Sequence, residues 1–184
     1  EKYDFKVVTY ANNNQSNISR ETISSTLSLY PNSVTNLSAS ESTNSVTLNW
    51  TKPLGYIKSY KVYYKTASGS YSLYTTITTP NTTSYTCTGL SSGTKYSFKI
   101  TTLGRNENYT SDATISRYTK PSAPTNYSIY CDDGQGRVKL KWTQPYGNAF
   151  DRVDVYIGST KLGTVSTSVS SAGSTTYLFV DIPN

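Results

Sequence analysis

Hydrophobic and polar residues alternate with a period of two along most of this chain, the pattern of β-strands that bury one face. The clearest case is residues 2–10, K-Y-D-F-K-V-V-T-Y, where one side carries Tyr3, Phe5, Val7 and Thr9 and the other side is charged. Short runs rich in Thr, Tyr and Val are separated by Gly and Pro, and apolar spacing of the helical type nowhere exceeds about two turns. The sequence therefore predicts an all-β fold.

The strand pattern also repeats, with a spacing of 92 residues between its two Trp-containing segments. Residues 46–53, V-T-L-N-W-T-K-P, match residues 138–145, V-K-L-K-W-T-Q-P. Three further pairs of segments match in order along the chain, namely 60–64 with 153–157, 84–90 with 176–182, and 2–10 with 95–103. The chain thus contains more than one copy of a single structural unit.

Several landmarks recur along the repeat: a Trp that ends the second strand and is followed by x-x-Pro, a Tyr in the third strand, a Leu before the turn between the fifth and sixth strands, and a Tyr-x-Phe-x-Val or Tyr-x-Phe-x-Ile string in the sixth. In these features the units resemble the fibronectin type III family, whose fold is an immunoglobulin-like β-sandwich. That resemblance implies that the first Tyr of the sixth strand is a tyrosine corner, with its ring in the core and its hydroxyl bonded to upstream backbone. Tyr3 and Tyr96 are the matching positions.

The units are in a permuted register. Residues 1–30 are predicted to supply the sixth and seventh strands of one unit, with a loop at 11–19 and the last strand at 22–29. Residues 31–120 are predicted to form a complete seven-strand domain, and residues 121–184 the first five strands of a further domain, opened by Pro121-Ser122-Ala123-Pro124. We expect this last domain to be incomplete by itself.

A five-strand sandwich would leave about six to eight apolar side chains unburied, at roughly 1.5 to 3 kcal/mol each, which exceeds the roughly 5 to 15 kcal/mol that stabilises a domain. The central domain, with strands about 33 Å long, would keep the chain's own N-terminal strands at a distance. The sequence therefore predicts that another copy completes the sandwich. The predicted donor residues are Tyr3, Phe5, Val7 and Thr9, and the predicted acceptor core is Trp142, Val155, Tyr177, Phe179 and Ile182.

Head-to-tail strand donation of this kind builds open filaments. The architecture resembles that of donor-strand-complemented pilins of the archaeal thread filament type, which implies a glycosylated extracellular filament of identical subunits that serves adhesion or biofilm formation. One alternative is a window of a longer tandem array, in which the same strands pair between neighbouring repeats. Others are an array of adhesion modules that bind through loops such as 55–59 or 71–76, and a spacer in a secreted enzyme.

Little in the sequence predicts catalysis or a cofactor. The absence of His removes imidazole-based catalysis and the usual zinc sites. Asp132 and Asp133 lack the ligand spacing of a calcium loop, and they and residues 134–136 are typical of a turn. The net charge of +6 comes from dispersed Lys and Arg rather than a basic cluster, so no nucleic-acid partner is predicted. No transmembrane segment occurs, and the lack of Met suggests an exported, processed chain.

Glycosylation and cysteine chemistry complete the predictions. Seven Asn-x-Ser/Thr sequons predict N-linked glycans on surface sites, at Asn14, Asn17, Asn36, Asn49, Asn81, Asn108 and Asn126. The alternative for each is an Asn that simply favours a turn. Cys87 alternates with Tyr85 and is predicted to face inward, whereas Cys131 is predicted near one end of its unit, free or bonded to a neighbouring subunit.

Overall fold

The computed structural model describes residues 7–8, 20–21, 31–105, 112–131, 137–145, 150–166 and 173–181. Within these ranges all regular secondary structure is β, and every strand pairing is antiparallel. The all-β prediction is confirmed. In the described part of the chain no helix is long and apolar enough to span a membrane.

Two short strands, β1 (Val7–Val8) and β2 (Arg20–Glu21), form an antiparallel pair near the N-terminus, in which Val7 lies opposite Glu21. The strand predicted at 22–29 lies outside the described residues. Of the predicted donor residues, Tyr3, Phe5 and Thr9 lie outside the described residues, and only the backbone of Val7 is described.

The central unit, comprising residues 31–105 and 112–120, is a sandwich of two sheets with strand orders β3–β4–β7 and β6–β5–β8–β9. The two sheets contain seven strands among the described residues of this unit. Their bounds are β3 (Thr35–Glu41), β4 (Val46–Thr51), β5 (Ser59–Thr66), β6 (Ser72–Ile77), β7 (Ser84–Cys87), β8 (Lys95–Leu103) and β9 (Ala113–Tyr118). Residues 71–76, suggested above as a binding loop, belong mostly to β6.

The core of the central unit follows from the period-two pattern. Val46, Leu48 and Trp50 project from β4 toward Tyr60 and Val62 of β5, and all five side chains are buried. The Trp50 and Tyr60 rings meet edge to face with centroids 5.6 Å apart. Because full burial of one large apolar side chain contributes about 1.5 to 3 kcal/mol, this shared core is the main source of the unit's stability.

The C-terminal unit, comprising residues 121–131, 137–145, 150–166 and 173–181, contains five strands. Three of them form the sheet β10–β11–β14, and the other two form the hairpin β12–β13. Their bounds are β10 (Thr125–Cys131), β11 (Arg137–Thr143), β12 (Arg152–Ile157), β13 (Thr160–Ser166) and β14 (Thr175–Asp181).

The two units share their irregularities as well as their strands. The register between β3 and β4 shifts between Thr35 and Ser38, and the register between β10 and β11 shifts between Thr125 and Ser128. Inside each shift lies an Asn with positive φ, at 52° for Asn36 and 51° for Asn126. A second shift also recurs, after Val62 in β5 and after Val155 in β12. Matching bulges support the repeat that the sequence predicts.

The match of residues 84–90 with residues 176–182, expected from the sequence, is out of register by one residue in the structure. In the central unit Leu48 pairs with Tyr85, and in the C-terminal unit the matching Leu140 pairs with Leu178. The counterpart of Tyr85 is therefore Leu178 and not Tyr177. Because side chains alternate between the faces of a strand, a shift of one residue moves a whole set of side chains to the opposite face.

Candidate strand-acceptor site

The candidate site is the inner face of the C-terminal unit together with the free edge of β12. In the central unit β5 pairs with β6 on one side and with β8 on the other. In the C-terminal unit β12 has the place of β5, and among the described residues it pairs only with β13. The other edge of β12 therefore presents backbone N–H and C=O groups that can receive a further strand.

The inner face next to this edge is exposed to solvent at positions whose counterparts in the central unit are covered. Leu37 and Ala39 of β3 pack against the core of the central unit, where β3 contacts β9. Their counterparts in β10, Tyr127 and Ile129, are 80% and 71% exposed. Ile129 lies opposite Leu140, as Ala39 lies opposite Leu48, so both pairs face inward. The space above Ile129 is the space that β9 fills in the central unit.

Two of the predicted acceptor residues lie on this inner face. Trp142 is 4% exposed. Val155 is half-buried and lies opposite Gly163 of β13. A Cβ added to Gly163 would come within 3.1 Å of Leu178, so the hairpin packs closely on β14 from the opposite sheet. These contacts hold the two layers together without covering the face completely.

Tyr177 and Phe179, also predicted to be acceptor residues, lie on the outer face, and that prediction is wrong. Each is 47% exposed, whereas Val180 next to them is 4% exposed. Their rings carry cations instead, with Lys139 Nζ 4.3 Å from the Tyr177 centroid and the Arg137 guanidinium 5.2 Å from the Phe179 centroid. The inner positions of β14 are Thr176, Leu178 and Val180. Ile182 lies outside the described residues.

A buried amide fixes Trp142 at the rim of the site. Trp142 Nε1 donates a hydrogen bond to Gln144 Oε1 at 3.3 Å, and Gln144 Nε2 donates to Thr176 Oγ1 at 2.8 Å. Gln144 is 1% exposed, so both of these bonds satisfy polar groups that water does not reach. The indole is thereby held in place although much of the neighbouring inner face is open.

The tyrosine corner is present in the central unit, as the resemblance implied. Tyr96 is 6% exposed and its hydroxyl oxygen accepts a hydrogen bond of 3.0 Å from the backbone N–H of Ser91. Thr119 Oγ1 donates to the carbonyl oxygen of Ser91 at 2.6 Å. The backbone N–H and the carbonyl oxygen of Ser91, in the turn between β7 and β8, are therefore both hydrogen-bonded to side chains. Tyr3, the matching position, lies outside the described residues.

The β1–β2 pair has the register of β8 and β9. Val7 lies opposite Glu21, and the matching Ile100 lies opposite Ala113. The residues after Glu21 and after Ala113 are identical over three positions, Thr-Ile-Ser. The described residues of β1 and β2 therefore match part of the β8–β9 pair in register, and the sequence around them also matches.

The sequons divide into two groups. Asn49 and Asn81 are exposed on the surface of the central unit. Asn36 and Asn126 occupy the two bulges, and their Nδ2 atoms donate hydrogen bonds to Thr51 and Thr143 at 3.1 and 3.3 Å. Those two amides therefore have a structural role. Asn14, Asn17 and Asn108 lie outside the described residues.

The two cysteines have opposite environments, as predicted. Cys87 is fully buried, and burial raises the pKa of its thiol from an ordinary value of 9.0 to about 12. Cys131 is exposed at the end of β10, and both are free. No group of three or more His, Cys, Asp or Glu that could hold a metal occurs in the described ranges, and Asp132 and Asp133 lie outside them.

Comparison with protein families identifies the central unit. A family model for the fibronectin type III domain matches residues 32–117. The central unit is therefore similar in sequence to fibronectin type III domains and has the same β-sandwich fold. No curated protein matches the sequence.

Solved structures with this fibronectin type III fold extend the likeness beyond the central unit. A two-domain fibronectin type III segment of chicken tenascin is 24% identical and covers 82% of this chain and 84% of its own, with a TM-score of 0.56. The fibronectin type III domain of human collagen α-1(XX) is 23% identical and covers 52% of this chain and 90% of its own, with a TM-score of 0.45. The tenascin segment covers more of the chain than one domain occupies, in line with the internal repeat.

Proposed function

We propose that this chain is a non-enzymatic structural subunit that joins other copies head to tail by β-strand addition. In this proposal the N-terminal strands, including β1 and β2, enter the C-terminal unit of the next copy and pair with the free edge of β12. The product is an extracellular filament of the pilin type, with a role in adhesion or biofilm formation. No cofactor takes part in the joint.

A single observation carries the proposal, namely the difference in exposure between Ile129 and its counterpart Ala39. Ala39 packs against a completed core, whereas Ile129 is 71% exposed although it faces inward. Apolar inner-face surface that is left in water forgoes roughly 25 cal/mol for each Å² that a covering strand would bury. Strand addition combines that gain with backbone hydrogen bonds along β12.

The β1–β2 pair suits this position because of its register. The pairing of Val7 with Glu21 repeats that of Ile100 with Ala113 in the central unit, where β8 and β9 cover the same part of the core. Within the described residues β1–β2 and β12–β13 are separate two-stranded sheets. In this proposal each copy therefore has a donor strand pair and an acceptor edge, and the two are not paired with each other. In a longer tandem array the same pairing would connect neighbouring repeats instead.

The test is the substitution Ile129→Asp in the full chain, with filament growth followed by light scattering and electron microscopy. Because Ile129 is exposed in the separate chain, a carboxylate there costs the monomer little. In the joint the same carboxylate would be buried without a partner, at a cost of several kcal/mol. We expect monomers that stay folded and do not assemble. Phe5→Asp, on the donor side, is expected to have the same effect.

The matched control is Ala39→Asp in the central unit. This substitution places the same charge against a core that is already complete, so the central unit itself should lose stability in every state of assembly. Filaments of normal length and heat resistance from Ile129→Asp subunits would contradict strand donation. Loss of the fold in Ile129→Asp monomers would contradict the assignment of Ile129 to an open face.

We further propose that the filament carries N-linked glycans and that the chain functions outside the cell. The exposed sequons at Asn49 and Asn81 support this proposal, because both side chains can be reached from solvent. Peptide mapping of native protein tests it, and the unmodified mass for both sequon peptides would contradict it.

A second candidate function is an array of binding modules. The outer face of the C-terminal unit favours it, since Tyr177 and Phe179 present half-exposed rings beside Lys139. Aromatic and cationic side chains that are grouped and exposed are typical of binding surfaces. An isolated chain that binds a surface ligand but never self-associates would support this function over the filament.

A further inference from the structure

The outer face of the central unit holds a cavity that the filament proposal does not use. It measures about 340 Å³ and lies on the side of β5 and β8 that faces away from the core. Its lining residues are Lys61, Tyr63, Tyr71, Lys99, Thr101, Leu103 and Asp112. The volume is at the low end of the range of small-molecule sites, which is about 300 to 1,000 Å³.

The floor of the cavity is formed by side chains with little exposure to solvent. Thr101 and Leu103 of β8 are 5% and 4% exposed although they point to the outer face. Thr101 lies opposite Lys61 of β5 in a continuous antiparallel ladder. Because both strands also build the core, the positions of the polar groups on them are fixed before any ligand arrives.

The acidic wall of the cavity is already neutralised. Asp112 accepts a hydrogen bond from Thr101 Oγ1. It also forms an ion pair with Lys99, whose Nζ lies 3.1 Å from the carboxylate. Lys99 Nζ also lies 4.6 Å from the centroid of the Tyr63 ring and 5.3 Å from that of Tyr71. Lys99 is therefore held by one carboxylate and two rings, and Asp112 keeps free lone pairs for further donors.

Lys61 is the third charged residue of the lining, after Lys99 and Asp112. Among the described residues it has no ion pair, although it is half-buried at the side of the cavity. Among the described lining residues, the ammonium groups of Lys61 and Lys99 and the carboxylate of Asp112 sum to a charge of +1. A ligand that fits must bring a negative group for Lys61, hydroxyl donors for Asp112 and an apolar face for the tyrosine rings.

We infer that this cavity binds a sugar acid, with the sugar carboxylate on Lys61, hydroxyl groups on Asp112, and ring C–H groups against Tyr63 and Tyr71. The ligand is either a free uronic acid or one unit of an anionic polysaccharide. The site is separate from the acceptor face and does not depend on filament formation.

Titration of the isotope-labelled full chain, followed by NMR, tests this inference with four probes: galacturonic acid, an oligogalacturonate, galactose and glutamate. We expect both uronate probes to shift the signals of Lys61 and Thr101, with galactose and glutamate binding at least about tenfold more weakly because each lacks one of the required features. Tighter binding of the oligomer than of the monomer would identify the polysaccharide as the source. Equal affinity per unit would identify the free acid.

Lys61→Gln is expected to weaken uronate binding by about tenfold or more, since it removes a charge-assisted hydrogen bond. The matched control is Lys95→Gln in β8. Lys95 lies over the ring of Tyr118 and outside the cavity, so this substitution removes the same charge at another place. Thermal unfolding should be the same for both variants. An equal loss of affinity in both variants, equal shifts with glutamate, or no shifts with either uronate would overturn the inference.

Discussion

The central and C-terminal units carry the same strand pattern and differ in how completely it is buried. Val46 and Leu48 of β4 are 0% exposed, whereas the matching Val138 and Leu140 of β11 are only half-buried. Both strands have the same neighbours within their own sheet, and the register of pairing is the same. The difference therefore arises in the opposite sheet, where β8 and β9 cover the central unit. An inward-facing residue becomes buried only when an opposing layer covers it.

The largest effect expected from this comparison concerns the two leucines. Leu48→Ala should destabilise the central unit by about 2 to 5 kcal/mol, because it leaves a cavity in a closed core. Leu140→Ala should cost the C-terminal unit roughly 1 kcal/mol in the monomer, because that site is already partly hydrated. Hydrogen exchange resolved by unit, under increasing denaturant, measures both values.

Assembly sharpens the same comparison. If another copy covers β11 as proposed, the cost of Leu140→Ala in the assembled state should rise toward that of Leu48→Ala. Equal costs for the two substitutions in dilute monomer would mean that the C-terminal unit is complete by itself.

A smaller effect is expected at the tyrosine corner. Tyr96→Phe removes the acceptor for the Ser91 N–H and should destabilise the central unit by about 1 to 3 kcal/mol. Tyr3→Phe, the matching change in sequence, should leave the thermal unfolding of the central unit unchanged. A response of that unit to Tyr3→Phe would mean that the N-terminal strands belong to it.

The smallest effect concerns the thiols and pH. A thiol reagent at pH 8 should modify the exposed Cys131 quickly and Cys87 only upon unfolding. The pKa of Cys87 is raised by burial from 9.0 to about 12, so the folded state holds the proton more tightly than the unfolded state. The stability that the protonated, buried thiol contributes is fully present below pH 9 and is lost as the pH rises toward 12. Faster labelling of Cys87 would contradict the register of β7.

Much of the fold could be predicted from the sequence because its strongest signals are local. The alternation in residues 46–50 fixes which face of β4 is buried, and Tyr96 fixes the corner before β8. The inward position of Cys87 follows from the same alternation. These features depend on neighbours in sequence, so no knowledge of the opposite sheet is required.

The sequence could not predict features that depend on contacts across strands. Residues 177–180 of β14, Y-L-F-V, are apolar on both faces, so alternation does not say which side is inward. Only pairing with β11 reveals that Tyr177 and Phe179 lie beside lysines. The roles of Asn36 and Asn126 in the bulges and the cavity beside Lys61 likewise require distant strands to be brought together.

The most direct test of strand donation is hydrogen exchange of the β12 backbone amides in the full chain at increasing protein concentration. In the described part of the chain β12 is paired along one edge only, so its amides should exchange quickly in the monomer, unlike those of β5, which is paired on both sides. We expect exchange of β12 to slow markedly as copies associate, and added Phe5→Asp chains to lack this effect. Exchange of β12 that does not change with concentration while filaments form would contradict the account.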